Sequence, residues 1–329
     1  MPDVSGSPGA RQPFTGSTTP GPSDDLLQPF QIDVSGLRGR LVRLGPAVDA
    51  ILTRHAYPDP VAHMLGEALA LAAALAGGLK YDGVFTLQTK GDGAITMMVA
   101  DVTSSGDLRG YAQFAADRLE RARELAGGGD LSVPRLMGAG HLAFTVDQGP
   151  HTERYQGIVE LTGATLADCV HHYFQQSEQI GTAVKLACGH GPEGWRAAAL
   201  VVQQMPREGG TGEPGTTFGA ADPERREEFW RRAVAFMGSS TTAELLDRDL
   251  DAKRLLYRLF HEDGVRVWPA HALRDRCRCT TARVESVLRS LSRDELADLQ
   301  VDGAVVVTCQ FCNTARRYDD AALDALFRS

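Results

Sequence analysis

Four cysteines near the C-terminus are the sequence feature that most constrains the fold. Cys277 and Cys279 form a C-x-C pair, and Cys309 and Cys312 form a C-x-x-C pair. Two close pairs supply the four soft ligands of a tetrahedral zinc ion with little backbone ordering for each ligand. Four unrelated buried cysteines are the alternative, but four of the six cysteines in the chain fall into these two pairs. We therefore predict one zinc ion per chain, bound in the reduced state by Cys277, Cys279, Cys309 and Cys312.

The residues around these cysteines add two indications. A disulfide within C-x-C joins residues one position apart, near the limit of Cα separation, and strained disulfides tend to be labile and regulatory. The C-x-C spacing therefore favours a redox role over a purely structural one. Nearby arginines could offset the negative charge of four thiolates on one zinc ion, although each could equally be a solvated surface residue. They are Arg274, Arg276, Arg278, Arg283, Arg316 and Arg317.

The charge of the chain argues against nucleic acid as a partner. The net charge is −8 at pH 7, and residues 271–320 contain eight arginines and eight acidic residues. Phosphate binding needs a basic surface, which neither the whole chain nor the cysteine region provides. A zinc-ribbon regulatory protein that binds nucleic acid is therefore the less favoured alternative. Salt-dependent binding to nucleic acid would support it.

The other two cysteines are predicted to belong to the core. Cys169 lies beside His171 and His172 on a predicted helix, which raises the alternative of a second metal site. Adjacent helical residues point to different faces, so the two histidines cannot easily share an ion with it. We therefore expect both Cys169 and Cys188 to be buried in the core.

The length and the N-terminal composition predict several units and a cytoplasmic protein. A chain of 329 residues usually holds a main domain of about 150–200 residues and smaller modules. Residues 1–28 are rich in Gly, Pro, Ser and Thr and contain no apolar segment of the secretory kind, so we predict a disordered tail. Six cysteines are too few for a disulfide scaffold, which also favours a reducing compartment.

Residues 61–79 form the longest apolar segment. The segment approaches bilayer length, but it contains His63 and Glu67 and is rich in alanine and glycine, so a buried helix is preferred to a membrane span. Its surface is apolar nearly all round, and such a helix must be covered on several sides. We therefore predict that this helix is the centre of the first domain.

Alternating apolar residues on both sides of this helix predict an α+β domain over residues 29–205, with antiparallel sheets around the buried helix. A helix is predicted over residues 165–180. The predicted strands are residues 39–44, 85–90, 94–102, 108–114, 141–148, 153–161, 183–187 and 195–206.

The remainder is predicted to form a helical linker and a small C-terminal module. The linker, residues 206–268, begins with a glycine-rich break and continues with a charged helix from Pro223 to Met237, a capping box of Thr241 with Glu244, and a helix over residues 251–262. Residues 269–329 are predicted to form the four-cysteine zinc module around one short helix.

A set of short motifs runs through the chain in a fixed order. The C-terminal part contains CRC followed by CQFC, with YRLFHE upstream. The first half contains, in this order, RGRLVRLG, HAYPDPV, LGEALAL, LKYDGVFTLQTKGDG, RGYA, RYQGIVEL and QQSEQ. With these motifs the chain resembles, from about Arg38 to the C-terminus, the redox-regulated bacterial holdase chaperones of the 33 kDa chaperonin, or thirty-three-kilodalton heat-shock protein, family. The N-terminal tail and the glycine-rich insertion depart from the family pattern, and neither includes the cysteines.

The resemblance implies a chaperone that holds unfolding proteins without ATP, inactive when reduced and zinc-bound and activated by oxidants together with unfolding stress. It implies that oxidation pairs Cys277 with Cys279 and Cys309 with Cys312 and releases zinc. It also implies unfolding of the stress-sensing linker and formation of a homodimer. The expected partners are unfolded client proteins, with no membrane and no nucleic acid.

A thiol-disulfide oxidoreductase that uses Cys309 and Cys312 is the alternative of a different class. Such enzymes usually carry CxxC at the N-terminus of a helix, where the helix dipole lowers a thiol pKa. Here the sequence after Cys312 is NTARRY, which predicts a turn followed by extended chain. We therefore expect no enzyme activity, and turnover of insulin disulfides would distinguish the two functions.

Overall fold

The computed structural model describes residues 24–127, 132–149, 152, 154–204 and 223–328. Most of the predicted tail and the whole glycine-rich break, residues 207–222, lie outside the described residues. The helices are α1 Pro46–Arg54, α2 Asp59–Ala76, α3 Ala116–Ala126, α4 Val133–Met137, α5 Leu166–Tyr173, α6 Pro223–Ser239, α7 Thr242–Leu246, α8 Ala252–Phe260, α9 Thr281–Arg289, α10 Arg293–Asp298 and α11 Asp320–Arg328.

The strands belong to three sheets. Sheet A has the order β10-β1-β2-β9-β8, with β11 also paired to β1, sheet B has the order β12-β5-β4-β3-β6-β7, and sheet C has the order β13-β14-β15. The strands are β1 Leu26–Ile32, β2 Leu37–Leu44, β3 Val84–Gly91, β4 Ile95–Thr103, β5 Asp107–Phe114, β6 Gly140–Asp147, β7 Tyr155–Glu160, β8 Thr182–Gly191, β9 Gly194–Gln203, β10 Val265–Val267, β11 His271–Ala272, β12 Arg274–Asp275, β13 Gln300–Val301, β14 Ala304–Thr308 and β15 Ala315–Asp319.

Helix α2 lies between sheets A and B, as its all-round apolar surface predicts. Its leucines and alanines are buried against strands of both sheets, and the main hydrophobic core forms around them. The helix is long and apolar enough to span a membrane, but 78% of it is buried inside the fold. This confirms the predicted α+β architecture around a central helix.

A second core lies on the outer face of sheet A, where α6, α7 and α8 cover the strands. Phe30 of β1 stacks on Phe260 of α8, with ring centroids 5.5 Å apart. The predicted capping box begins α7, because the Thr241 side chain accepts from the Glu244 amide and the Glu244 carboxylate accepts from the Thr241 amide. The linker is therefore packed onto the first domain.

A third, small core holds the C-terminal module together. It consists of residues from α9, α10, sheet C and α11, namely Leu288, Leu296, Val305, Tyr318, Leu323 and Leu326. Leu288 and Leu296 lie on successive helices, and a capping box of Ser292 with Glu295 separates them. The module therefore buries few large apolar side chains of its own.

Three strands lie outside the sheets that the sequence predicts. Strand β1 begins at Leu26, and Leu27 is fully buried, so residues 26–28, which were predicted to belong to the tail, are part of sheet A. The sequence pattern does not indicate this strand, because it directly follows a Gly- and Pro-rich stretch. Strands β11 and β12 pair with β1 and β5, so residues 271–275 of the predicted zinc module join the sheets of the first domain. These short strands have no alternation of their own, and only their partners define them.

Glu67 is an acidic residue within the largely apolar helix α2. Burial raises its pKa to about 7, and its charge in turn contributes to a raised pKa of the buried Cys188 thiol, after the larger effect of burial. In the unfolded chain the carboxyl would titrate near its usual pKa of about 4.3. Between these pH values the unfolded chain carries a charge that the folded chain lacks, so stability falls as pH rises through this range.

We therefore predict that Glu67→Gln stabilises the first domain above pH 7 and has little effect near pH 4. The wild type should lose up to about 3 kcal/mol relative to the variant as the pH rises from 4 to 8. Urea unfolding across this pH range measures the difference. Glu120→Gln, at an exposed position of α3, is the matched control. Parallel pH profiles for the wild type and Glu67→Gln would contradict the assignment.

Candidate metal centre

The C-x-C pair lies between the first domain and the module. Strand β12 precedes it and is tied to β5, where the Arg276 amide donates to the Leu108 carbonyl at 2.9 Å. Thr280 follows Cys279 and caps α9, because its hydroxyl accepts from the Arg283 amide. Cys277 and Cys279 are therefore held between a strand of sheet B and the first helix of the module.

The C-x-x-C pair lies in the turn that joins β14 to β15. The Cys309 amide donates to the Thr314 carbonyl at 3.0 Å, and the Asn313 amide donates to the Cys309 carbonyl at 2.8 Å. Asn313 has a φ of 55°, a left-handed conformation that asparagine tolerates better than most residues. The turn directs both Cys309 and Cys312 towards the C-x-C pair.

The structure brings all four predicted ligands together, with the four sulfur atoms within 4.8 Å of one another. Cys277 Sγ is 3.7 Å from Cys309 Sγ, and Cys279 Sγ is 3.4 Å from Cys312 Sγ. Sulfur atoms at the corners of a tetrahedron with Zn–S bonds of about 2.3 Å are about 3.8 Å apart, so the four thiols fit a zinc ion. All six cysteines of the chain are free thiols.

Two of the four thiols have a shifted pKa. For Cys312, burial opposes ionisation, but hydrogen bonds with Thr314 and the neighbouring thiols outweigh it and lower the pKa to about 6. For Cys277, burial is the main cause of a raised pKa. Cys312 is therefore the more readily ionised of these two thiols, and the thiolate is the form that binds a metal ion.

The neighbouring arginines have different roles. Arg316 Nη2 lies 3.6 Å from Cys279 Sγ, as expected for an arginine that offsets thiolate charge. Arg274 instead pairs with Asp107, and Arg278 pairs with Asp101 at 2.6 Å. These two arginines therefore attach the C-x-C loop to sheet B and do not neutralise the sulfur cluster directly.

Residues between the paired cysteines dock the module on the first domain, a role that was not predicted from the sequence. Phe311, inside the C-x-x-C turn, lies under the Arg109 guanidinium at 3.8 Å. Its ring also meets Tyr111 edge to face at 4.9 Å, and its carbonyl lies 3.1 Å from His55 Nε2. No local pattern identifies these contacts, because their partners come from α1 and sheet B.

Cys169 and Cys188 lie in the main core, as predicted. Both are buried, and burial raises the pKa of the Cys169 thiol to about 11. His171 Nδ1 lies 2.8 Å from the Thr182 carbonyl, a contact that ties α5 to β8. The predicted burial of these two cysteines is confirmed.

Comparison with known proteins gives the family. The sequence matches the family described as Hsp33 protein over residues 25–319. The chain belongs to the Hsp33 protein family. Proteins named 33 kDa chaperonin share 38% identity with it in Caulobacter vibrioides, over 90% of this chain and 95% of that protein. In Pseudomonas fluorescens the identity is 36%, over 93% of this chain and 94% of the relative.

A solved structure supports the Hsp33 fold. The crystal structure of a 33 kDa chaperonin from Thermotoga maritima has a TM-score of 0.74 and 23% identity, covering 92% of this chain and 98% of that one. Membership of the Hsp33 family confirms the resemblance seen in the sequence and supports a chaperone and stress-response function.

We predict that Cys277→Ser greatly weakens zinc binding, because one of four ligands is lost and the remaining thiols leave an open coordination position. Zinc should transfer to a chromogenic chelator from the variant but stay bound to the reduced wild type. Cys169→Ala, at a buried thiol outside the cluster, is the control and should retain the metal. Full zinc retention by Cys277→Ser under a strong chelator would show that the ligand set is wrong.

Proposed function

We propose that this chain is an ATP-independent holdase whose activity is regulated by oxidation of the four clustered thiols. The observation that carries the proposal is the convergence of these thiols in a module with a small core of its own. Zinc, when bound, joins the two cysteine loops and contributes to folding of the module. The reduced protein would be inactive, and Cys277, Cys279, Cys309 and Cys312 would form two disulfides on activation.

The redox step balances with a peroxide as the oxidant. In each pair one thiolate attacks a peroxide oxygen and becomes a sulfenic acid, while the O–O bond breaks and the other oxygen leaves as hydroxide. The second thiolate then displaces the sulfenic hydroxyl group, also as hydroxide, and both hydroxide ions take up protons from solvent to form water. Two electrons pass to the peroxide, and one sulfur–sulfur bond forms for each peroxide consumed. The sulfur distances leave several pairings open, so the pairs Cys277 with Cys279 and Cys309 with Cys312 rest on the resemblance and on rapid closure of short loops.

Loss of the thiolate ligands should unfold the module. A unit of this size rarely draws more than about 3–5 kcal/mol from its own core, whereas a structural zinc site contributes about 10–16 kcal/mol. The module also contacts the first domain through Phe311 and Arg278, and both residues lie within the cysteine loops. Oxidation would therefore remove the metal and release the module from sheet B.

Release of the linker would expose the apolar side chains between the linker helices and the outer face of sheet A, where clients could bind. Most of the linker residues proposed to bind clients are covered because they pack on the outer face of sheet A, and Phe229 is also buried. Tyr257 differs, since 62% of it is already exposed. The set comprises Phe229, Trp230, Leu255, Leu256, Tyr257, Leu259 and Phe260.

Arg43 weakens the contact between the linker and the outer face of sheet A, which is therefore less stable than its buried apolar area suggests. It lies on β2 and is 1% exposed; its Nη1 donates to the Leu250 carbonyl, while its Nε and Nη2 have no hydrogen-bond partner. Burial lowers the pKa of its guanidinium, which indicates a cost for keeping the charge under the linker. Such a group gains hydration when the linker leaves, so it favours a linker that detaches under stress.

The roles of the domains, the partners and the location of the protein follow from this proposed cycle of oxidation, zinc release and linker unfolding. Residues 24–204 would be the chaperone domain, residues 223–268 the stress-sensing linker and residues 276–328 the redox switch. The partners would be unfolding or misfolded proteins, with a homodimer in the activated state, and the protein would act in the cytoplasm without binding nucleic acid. The relatives are named as chaperonins. Cys309 and Cys312 lie in a turn between two strands and not at the N-terminus of a helix. For both reasons we propose no enzyme activity.

An aggregation assay with a thermally unfolding client tests the proposal. Oxidised protein should suppress light scattering by the client at stoichiometric amounts, and reduced zinc-bound protein should not. Zinc release, followed with a chromophore in the same samples, should accompany activation. Equal suppression by both forms would contradict redox regulation, and turnover of insulin disulfides would favour the oxidoreductase.

Peptide mapping and hydrogen exchange on oxidised protein at elevated temperature test the order of events. Disulfides should be found within C-x-C and within C-x-x-C. Amide protection should vanish in the module and the linker but persist in α2, which both sheets cover. Disulfides mainly at Cys169 or Cys188, or a protected linker in a fully active protein, would contradict the proposal.

We predict that Arg43→Met strengthens the linker contact by about 1–2 kcal/mol, because an apolar side chain replaces a buried cation with unsatisfied donors. Amides of α8 in oxidised protein should exchange about tenfold more slowly, and activation should need a higher temperature. Arg38→Met, at an exposed position of the same strand, is the matched control. Faster exchange of α8 in Arg43→Met would mean that Arg43 stabilises the linker.

A further inference from the structure

The surface beneath Phe311 resembles a binding site that is already filled. Three side chains of the first domain surround this residue: Arg109 covers one ring face, Tyr111 meets the ring edge to face, and His55 contacts the carbonyl oxygen. We call His55, Arg109 and Tyr111 the Phe311 cradle. Together they contact an aromatic ring and the backbone carbonyl of the same residue.

Each wall of the cradle is anchored within the first domain. Arg109 Nε and Nη2 bond Asp101 Oδ2 at 2.8 and 2.7 Å, and Thr86 Oγ1 donates to Asp101 Oδ1 at 2.6 Å. Because Asp101 lies on the neighbouring strand β4 and is nearly buried, Arg109 keeps this partner when Arg278 of the module departs.

The other two walls are held in the same way. The Tyr111 hydroxyl lies 3.8 Å from Met97 Sδ on β4. His55 stacks on Tyr57 at 5.0 Å, and the Tyr57 hydroxyl accepts from the Ala112 amide at 2.8 Å. The cradle therefore does not depend on the module for its shape, and a preformed site binds without the cost of ordering its walls.

We propose that the Phe311 cradle is a client-contact site for aromatic side chains of unfolding proteins, and that Phe311 is the intramolecular residue that blocks it in the reduced state. The inference rests on the proposed holdase function. An aromatic ring suits the site better than an aliphatic chain, because a guanidinium is attracted to the face of a π-system. Unfolding proteins expose such rings together with unpaired backbone carbonyls.

Covalent attachment explains why the site is closed before oxidation. Phe311 is part of the same chain and is held by the C-x-x-C turn, so its effective concentration at the cradle far exceeds that of any client. When the turn unfolds, this advantage is lost and a client aromatic residue competes. Oxidation would thus open an aromatic-selective site on sheet B, separate from the apolar face beneath the linker.

Photo-crosslinking of full-length protein tests the proposal. The probes are two unstructured peptides that carry the same diazirine-bearing leucine and differ only at the next position, which is phenylalanine in the aromatic peptide and leucine in the aliphatic peptide. Oxidised wild type should crosslink the aromatic peptide at β5 about tenfold more than reduced wild type does. The preference over the aliphatic peptide at β5 should be severalfold.

Variants distinguish opening of the Phe311 cradle from general unfolding of the protein. Reduced Phe311→Ala should gain crosslinks at β5 while it keeps its zinc, and Phe311→Leu should gain fewer because leucine still fills the space. Phe327→Ala is the matched control, because Phe327 makes a similar contact with Arg293 within the module, with Arg293 Cζ 4.5 Å from the ring centroid. It should leave the crosslinks of the reduced protein unchanged.

Changes in the cradle itself should abolish the site. Oxidised Arg109→Lys keeps a cation for Asp101 but loses the planar guanidinium, and together with Tyr111→Leu it should reduce crosslinking at β5 to the level of the reduced wild type. Crosslinks of oxidised wild type confined to sheet A, or no gain in zinc-loaded Phe311→Ala, would overturn the proposal. Aggregation assays on the same samples test the holdase function separately, since either result can fail without the other.

Discussion

The convergence of four thiols is the constraint on which the C-terminal module depends. The module buries six large side chains in its own core, too few to order a unit of this length against chain entropy. A metal ion bound by the four thiols would join the loop that leaves sheet B to the turn of sheet C and would supply the missing stabilisation. Under the proposed function, the module would then be stable only while the sulfur atoms remain available as ligands.

The same two loops also attach the module to the first domain. Arg278 lies between Cys277 and Cys279, and Phe311 lies between Cys309 and Cys312, so the residues that dock are positioned by the predicted metal ligands. Docking and metal binding would therefore be coupled through a few bonds of backbone. A change at the sulfur atoms can reach the surface of sheet B without a long pathway through the core.

Under the proposed function, the linker would add a second, weaker layer of control. Its helices cover the outer face of sheet A with an apolar core and an ion pair between Arg232 and Asp263. Beneath them Arg43 keeps a charge away from water with one carbonyl partner. In the proposed cycle, a covering that is both apolar and electrostatically costly would leave when temperature or oxidation weakens its neighbours, while α2 would keep the rest of the domain together.

The sequence by itself determined what depends on residue type and near-neighbour spacing. Two cysteine pairs predicted the ligand set, the apolar helix predicted the centre of the first domain, and Thr241 with Glu244 predicted the start of a helix. Tertiary structure alone decided that β1 completes sheet A, that β11 and β12 join the sheets of the first domain, and that Phe311 rests on Arg109. These features have no local signature, because their free energy comes from contacts between residues far apart in the chain, which packing selects only after the sheets have formed.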